Sequence, residues 1–274
     1  MRLPNSDYVE RFLTLKVRFT DAKMSLGGDL TTLVGSEPEG IEDGLTVAVP
    51  AWKRALDICC MLAVAPVLLP LCALLALWVK CVSPGPVLFR QERVGYRGRR
   101  FTCLKFRTMH LGTSTSTHED YCRKLISSEA PMTKLDDADD DRIIPLGPVV
   151  RAMGLDEIPQ LWNVLRGEMS LVGPRPCLPA EYEAYLPAQR QRFNALPGLT
   201  GLWQVSGKNS TTFTRMIELD LEYIRCMSPW SDLRIIVRTI PVMVTAAVSA
   251  LRRRFARLVR SRPSAGGLQP PVAR

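Results

Sequence analysis

Hydrophobic positions in this chain form one long unbroken run and several short periodic ones. Ile58 to Val79 covers 22 consecutive positions without a charged side chain. A straight helix of that length measures about 33 Å, enough to cross a bilayer core. Pro66 and Pro70 interrupt the run, and each removes a backbone hydrogen bond and bends a helix. Basic residues flank both ends: Lys53 and Arg54 before it, Lys80, Arg90 and Arg93 after it. A spanning helix concentrates its basic residues on one side. Basic flanks on both sides favour a re-entrant helix that enters the membrane, breaks at proline and returns to the cytosolic face. A true span and a buried helix of a soluble protein are the alternatives.

Downstream, Pro86–Arg93 and Phe101–Met109 alternate partly and flank the turn signal Gly95-Tyr96-Arg97-Gly98, which predicts a β-hairpin. Residues 111–134 are rich in Ser and Thr, and 136–141 form an acidic loop. Leu155, Ile158, Leu161, Trp162 and Leu165 then fall on one face of a predicted helix over 155–166, with Pro159 tolerated in its first turn. A further helix is predicted from Phe213 to Met227. Residues 233–250 are apolar with scattered Arg, and 251–262 read as a basic amphipathic end. The fold class is α+β and helix-rich. It combines a proline-broken re-entrant membrane helix, a β-hairpin and amphipathic interfacial helices around a cytosolic active site. The expected organisation is a poorly ordered leader at 1–50, a membrane-associated domain at 51–250 and a basic flexible tail at 251–274.

Charge sharpens this picture. The net charge is +9, but residues 1–50 carry −3 and residues 251–274 carry +7, which leaves about +5 for the centre. Such a chain suits an anionic partner: nucleic acid, anionic lipid or a phosphorylated substrate. The basic residues form neither a recognition helix nor an aromatic-lined basic sheet, so nucleic acid is set aside. The eight cysteines include no C-x-x-C pair, which argues against a disulfide scaffold and a zinc site. Only His110 and His118 are present, so a histidine-based metal centre is not expected. The apolar run begins too late for a signal peptide.

The candidate chemistry centres on Asp156-Glu157. At a helix start, free N–H groups and the helix dipole stabilise a carboxylate, which keeps it available as nucleophile or metal ligand. An acidic residue there is more often a simple cap. The neighbourhood shifts the balance. Arg151 lies five residues before, and Ser170-Leu171-Val172-Gly173-Pro174-Arg175-Pro176 reads as a rigid loop that sets a guanidinium between two prolines. Two arginines near two carboxylates suit a diphosphate and a divalent cation. Lys105-Phe106-Arg107 reads equally well as a phosphate contact or a solvated strand end. The Gly-rich segment 197–205 by itself marks only a turn. Asp137-Ala138-Asp139 in the acidic run resembles the D-x-D of metal-dependent glycosyltransferases, but such a run is usually a solvated loop.

Taken in order, the motifs resemble one family. They run from Lys53-Arg54-x-x-Asp57 through the apolar segment, Ser83-Pro84-Gly85-Pro86-Val87, Arg90 to Gly95, and Lys105 to Met109. Leu155 to Leu165, Gly167 to Pro176 and the block 197–209 follow. The chain resembles the bacterial sugar transferases, monotopic polyprenyl-phosphate phosphoglycosyl transferases, over about 53–245, in a short form with extra tails. The resemblance implies transfer of a sugar-1-phosphate from a UDP-sugar to polyprenyl (undecaprenyl) phosphate, with UMP released. It implies Asp156 as nucleophile, a covalent phosphosugar-aspartate, and Mg2+ held by Glu157 and Asp156. Lys105, Arg151, Arg175, Pro174, Pro176 and Asp232 are implied in substrate and phosphate binding, with Asp220 a further acidic position. Pro66, Pro70, Lys53 and Arg54 are implied in the membrane anchor. The expected location is the cytosolic face of the inner membrane, and a homodimer is left open. Many members place Ser-Pro at the helix break, whereas this chain has Ala65-Pro66. Two other readings compete: a metal-dependent glycosyltransferase using the acidic run, which would release UDP, and a non-catalytic membrane adaptor.

Overall fold

The computed structural model describes residues 49–110, 112, 131–132, 142–207 and 211–260, the side chains of 253–260 excepted. The predicted leader, the acidic run and the end of the tail lie outside these residues. Everything below belongs to one compact unit beginning at Thr46.

Helix α1 runs from Ala51 to Val82, through Pro66 and Pro70. Its middle is exposed, with Leu62, Val67 and Leu69 bare, while both ends pack on the same unit. At the start, Lys53 and Asp57 are buried, and the Arg54 guanidinium donates to the carbonyls of Val164 and Leu165. At the far end, Leu75 and Val79 pack with Phe106, Ile144, Val150 and Ile158.

The predicted hairpin forms. Strands β1 (Leu88–Val94) and β2 (Arg100–Phe106) pair antiparallel, from Leu88 opposite Phe106 to Val94 opposite Arg100. The turn Tyr96–Gly98 is a 3-10 turn with Arg97 and Gly98 at positive φ. Helix α2 (Gly147–Ala152) leads to the region of the carboxylate pair.

Here the structure corrects the sequence. The predicted helix over 155–166 is broken: Leu155–Glu157 is a 3-10 turn, and helix α3 covers only Gln160–Leu165. Pro159 sits at the N-cap of α3, not inside its first turn. Its missing N–H separates the two pieces. The single apolar face divides as well. Ile158 is buried, Leu155 and Leu161 pack beside it, and Trp162 and Leu165 stay exposed.

A second correction concerns two segments expected to be loops. Ser170–Val172 (β3) and Gly198–Thr200 (β4) pair as parallel strands, Ser170 opposite Gly198 and Val172 opposite Thr200. Glycine makes the approach possible, because a Cβ on Gly173 would lie 2.1 Å from the Leu196 carbonyl oxygen. Parallel strands need a long crossover. It is supplied by α4 (Pro179–Ala184), α5 (Pro187–Arg190) and a 3-10 turn, Gln191–Asn194.

After the short helix α6 (Leu202–Val205), helix α7 (Phe213–Arg225) ends two residues before its predicted stop. Thr212 caps it by accepting from the Arg215 N–H. Helix α8 spans Pro229–Arg260. Residues 251–260, within the stretch read as a basic amphipathic end, continue this helix. Trp230, Leu233, Val237, Ile240, Val244, Val248 and Leu251 recur on it at steps of three or four and are all exposed. Arg234, Arg238 and Arg252 are exposed beside them. Both α1 and the stretch Pro229–Arg252 of α8 are long and apolar enough to cross a membrane.

Candidate active site

The two carboxylates stand in the 3-10 turn Leu155–Glu157, entered through Gly154 at φ +68°. That conformation is open to glycine at little cost. The turn packs between α2 and β2. Asp156 is 7% exposed and Glu157 more open. A three-residue turn followed by a six-residue helix has only a weak dipole. The stabilisation of Asp156 expected from a long helix therefore gives way to the side chains around the pair.

Strand β2 supplies the first of these. Lys105 Nζ donates to Glu157 Oε1 at 2.7 Å. Arg151, in the last turn of α2, donates to the Thr108 hydroxyl at 3.2 Å, just past the end of β2. Arg175 lies half-buried between buried Pro174 and Pro176, and its guanidinium makes no hydrogen bond or ion pair among the described residues. The buried thiol of Cys103, on the same face of β2 as Lys105, marks the centre of the group. Burial raises its pKa, and the charges of Lys105, Arg93, Glu157 and Arg175 all act on it. Lys105, Arg93 and Arg175 thus gather positive charge around Cys103, with Glu157 beside them.

Arg93 belongs to this group, although sequence reasoning placed it only in the helix flank and the Arg-Gln-Glu-Arg motif. It is buried and donates to the Pro176 carbonyl and to Gln91. Burial holds its pKa below the usual arginine value, and the nearby Arg175 charge pushes the same way. The signal was its spacing. Residues 91, 93, 103 and 105 alternate onto one face of the hairpin, the face that carries Lys105.

Arg175 is held from behind. Val94 and Cys177 pair backbone to backbone. Arg192 donates to the Arg175 carbonyl, to the Tyr185 hydroxyl and, at 2.5 Å, to Asp220. Asp220 is therefore a buried structural partner of Arg192 and does not face the site.

Two further expectations are corrected. Asp232, expected to bind phosphate, is 1% exposed and paired with Lys53 at 2.6 Å. Lys53, expected to anchor the chain at the membrane surface, is a core cation that also donates to Val172 O and Tyr223 Oη. The carboxylate of Asp57 accepts from Ser170 Oγ and the Leu171 N–H. The Lys-Arg-x-x-Asp motif thus grips β3 and α3 from the start of α1. Burial and the Asp232 charge push the pKa of Tyr223 up, so its hydroxyl stays a donor in this network.

Among the described residues, no three His, Cys, Asp or Glu side chains gather as a metal cluster. Asp156 and Glu157 are the carboxylates here that could hold a cation, with Glu157 Oε1 engaged by Lys105; Mg2+ would take its remaining ligands from phosphate oxygens and water.

The bacterial sugar transferase family matches residues 48–246. The chain belongs to the bacterial sugar transferase family. It is 42% identical over 207 residues to a UDP-glucose:undecaprenyl-phosphate glucose-1-phosphate transferase of Caulobacter vibrioides, covering 73% of this chain and 72% of that one. It is 37% identical over 191 residues to the exopolysaccharide production protein ExoY of Sinorhizobium fredii, covering 70% and 84%. It is 36% identical over 193 residues to an undecaprenyl-phosphate galactose phosphotransferase of Salmonella typhimurium, covering 70% of this chain but 40% of the relative. As a member of this family, the chain has its Asp-Glu pair, Lys105, Arg151 and Arg175 within the matched region.

Proposed function

We propose that this protein transfers a sugar-1-phosphate from a UDP-sugar to polyprenyl phosphate, releasing UMP, as the first membrane step of polysaccharide assembly. The observation that carries this reading is the 2.7 Å contact of Lys105 with Glu157, next in the chain to Asp156, with the charges of Arg93 and Arg175 acting on the same face of β2. The donors of Lys105, Arg151 and Arg175 suit a diphosphate, since guanidinium groups bind phosphate oxygens in pairs. Phosphoryl transfer asks mainly for positioning and charge neutralisation.

In the first step an Asp156 carboxylate oxygen attacks the β-phosphorus. The bond from that phosphorus to the bridging oxygen breaks, and UMP leaves with the oxygen. Asp156 then carries the phosphosugar as an acyl phosphate. In the second step an oxygen of the lipid phosphate attacks the same phosphorus. The acyl phosphate bond breaks, Asp156 regains its carboxylate, and polyprenyl-diphosphate-sugar forms. Glu157 and Asp156 would hold Mg2+, which offsets diphosphate charge. Splitting the transfer lets a soluble and a lipid substrate use one nucleophile in turn.

The membrane reading is a re-entrant α1 at the cytosolic face of the inner membrane. Its support is geometric. A straight helix separates Arg54 from Leu75 by about 31 Å, whereas Ile158 and Leu165, which mark the two docking points, are seven residues apart in the chain and so at most about 25 Å from each other. Pro66 and Pro70 lie between those docking points, in the exposed stretch. The exposed apolar line of α8, with its arginines, suits a helix lying in the headgroup region.

The deciding experiment incubates the purified chain with polyprenyl phosphate and a panel containing UDP-glucose and UDP-galactose. UMP is the expected product. UDP would instead mark a direct glycosyltransferase, and absence of both would favour the adaptor reading.

A further inference from the structure

Strand β2 brings Lys105 to Glu157, yet it has a strand on one side alone, since β1 and β2 form a two-stranded sheet. The Arg107 N–H donates to the Val87 carbonyl, which sets the alternation of the ladder. The backbone groups of Cys103 and Lys105 therefore point to β1, and those of Thr102 and Leu104 point to the outer edge. Backbone groups at a buried edge need partners.

Asn163, in α3, supplies them. Its Nδ2 donates to the Thr102 carbonyl at 2.7 Å, and its Oδ1 accepts from the Leu104 N–H at 3.2 Å. The side-chain amide thus stands in for a peptide group of a third strand, centred on Cys103. The other Nδ2 hydrogen goes to Glu168 Oε2 at 2.7 Å. Donors and acceptor are all used, and these partners fix which way round the amide sits. Asn163 is 2% exposed and Cys103 1%. In so dry a place an amide is costly unless it is bonded. The backbone takes part as well: the Asn163 carbonyl accepts from the N–H groups of Glu168 and Met169, where the chain turns into β3.

The place of this residue matters for the site. Leu104 directly precedes Lys105, and only Ile158 and Pro159 separate Glu157 from α3. A slip of one residue along β2 would move α3 by about 3.3 Å, which is enough to break the 2.7 Å contact of Lys105 with Glu157. Apolar burial between α3 and β2 resists such a slip poorly, because it is non-directional. We propose that Asn163 is a positioning residue for the transfer, its amide holding α3 in register on β2 so that Lys105 meets Glu157. This rests on the transferase reading above.

The test is a double-mutant cycle in kcat, read as UMP release by the full chain in nonionic micelles. Asn163→Ala is expected to lower kcat about 10²-fold, the cost of a misplacement of about 1 Å. In a Lys105→Met background the same substitution is expected to cost less than about three-fold, because the contact it serves is already gone. A scaffold role would cost the same factor in both backgrounds, and that result overturns the assignment, as does an unchanged kcat in Asn163→Ala. Should Asn163→Ala fail to fold, the isosteric Asn163→Asp, whose carboxylate has no hydrogen for Thr102, replaces it in the cycle. If neither folds, Asn163 belongs to the scaffold and the assignment falls. If the unmodified chain releases no UMP, the transferase reading itself has failed. The register is then scored by the rate at which acetic anhydride acetylates Lys105, since a lysine released from a carboxylate reacts faster. A rate in Asn163→Ala raised toward that in Glu157→Gln upholds the positioning, and an unchanged rate overturns it.

Discussion

The ammonium of Lys53 lies 2.6 Å from the carboxylate of Asp232, across 179 residues of sequence. Both side chains are 1% exposed. The contact joins the start of α1 to the first turn of α8, and Lys53 also reaches Val172 O at 2.8 Å, in the strand that leads to Arg175. A buried pair of this kind gains little over an apolar replacement, but breaking it strands a charge. Asp232→Ala is therefore expected to lower unfolding stability by about 3–5 kcal/mol. The double variant Lys53→Met/Asp232→Leu should recover most of that loss. Denaturant titration in detergent measures both. Equal losses in the single and double variants would contradict the pairing.

Lys105 and Glu157 are paired in the open site, where an ion pair adds little stability. Lys105→Met and Arg175→Ala should therefore leave the unfolding midpoint near that of the unmodified chain. Each should still reduce kcat about 10²- to 10³-fold, the usual effect of removing one preorganised donor to a transition state. A large fall in stability with little change in kcat would place these side chains in the scaffold.

Cys177 and Cys226 offer an independent check on the packing behind Arg175. Cys177 is buried, and burial pushes its pKa up to about 12. At pH 8 a group four units below its pKa is ionised in about one molecule in ten thousand, and only the thiolate reacts. Cys226 is exposed at the end of α7. Iodoacetamide at pH 8 should modify Cys226 and spare Cys177, as read by peptide mass spectrometry. Rapid modification of Cys177 in the folded chain would mean that the Val94–Cys177 pairing opens.

The topology of α1 is read by cysteine labelling at Ala51 and Lys80, both exposed at opposite ends of the helix. In a background lacking the native cysteines, a membrane-impermeant reagent applied to inside-out vesicles should label both positions. Labelling of one position from each side would establish a true span. Lys53 is unsuitable as a probe because it is buried.

The hairpin, the broad extent of α1 and the carboxylate pair were legible in the sequence because each rests on local order. Alternation around Gly95–Gly98 encodes the hairpin, and a charge-free run encodes the helix. Strands β3 and β4 were not legible. Each has three residues, too few for a period, and their pairing depends on Gly173 and Gly198 allowing a close approach between distant segments. The same limit explains Lys53 and Asp232. Near an apolar run, a lysine reads as a membrane flank, and only the fold shows that an aspartate from α8 meets it. Arg93 was within reach, since its alternation with Gln91, Cys103 and Lys105 follows from the predicted hairpin. Trp162 and Leu165 fit a helical apolar stripe, but Pro159 shortens the helix and turns those two side chains outward.

The central claim is that Asp156 carries the sugar phosphate between the two substrates. The most direct measurement is the intact mass of the purified chain after incubation with UDP-sugar and Mg2+, with polyprenyl phosphate left out. The unmodified chain should gain the mass of one sugar phosphate and release a matching amount of UMP. The adduct should map to the peptide containing Asp156, disappear when polyprenyl phosphate is added, and be absent in Asp156→Asn. An Asp156→Asn chain that forms the adduct, or that turns over at the unmodified rate, would contradict the assignment.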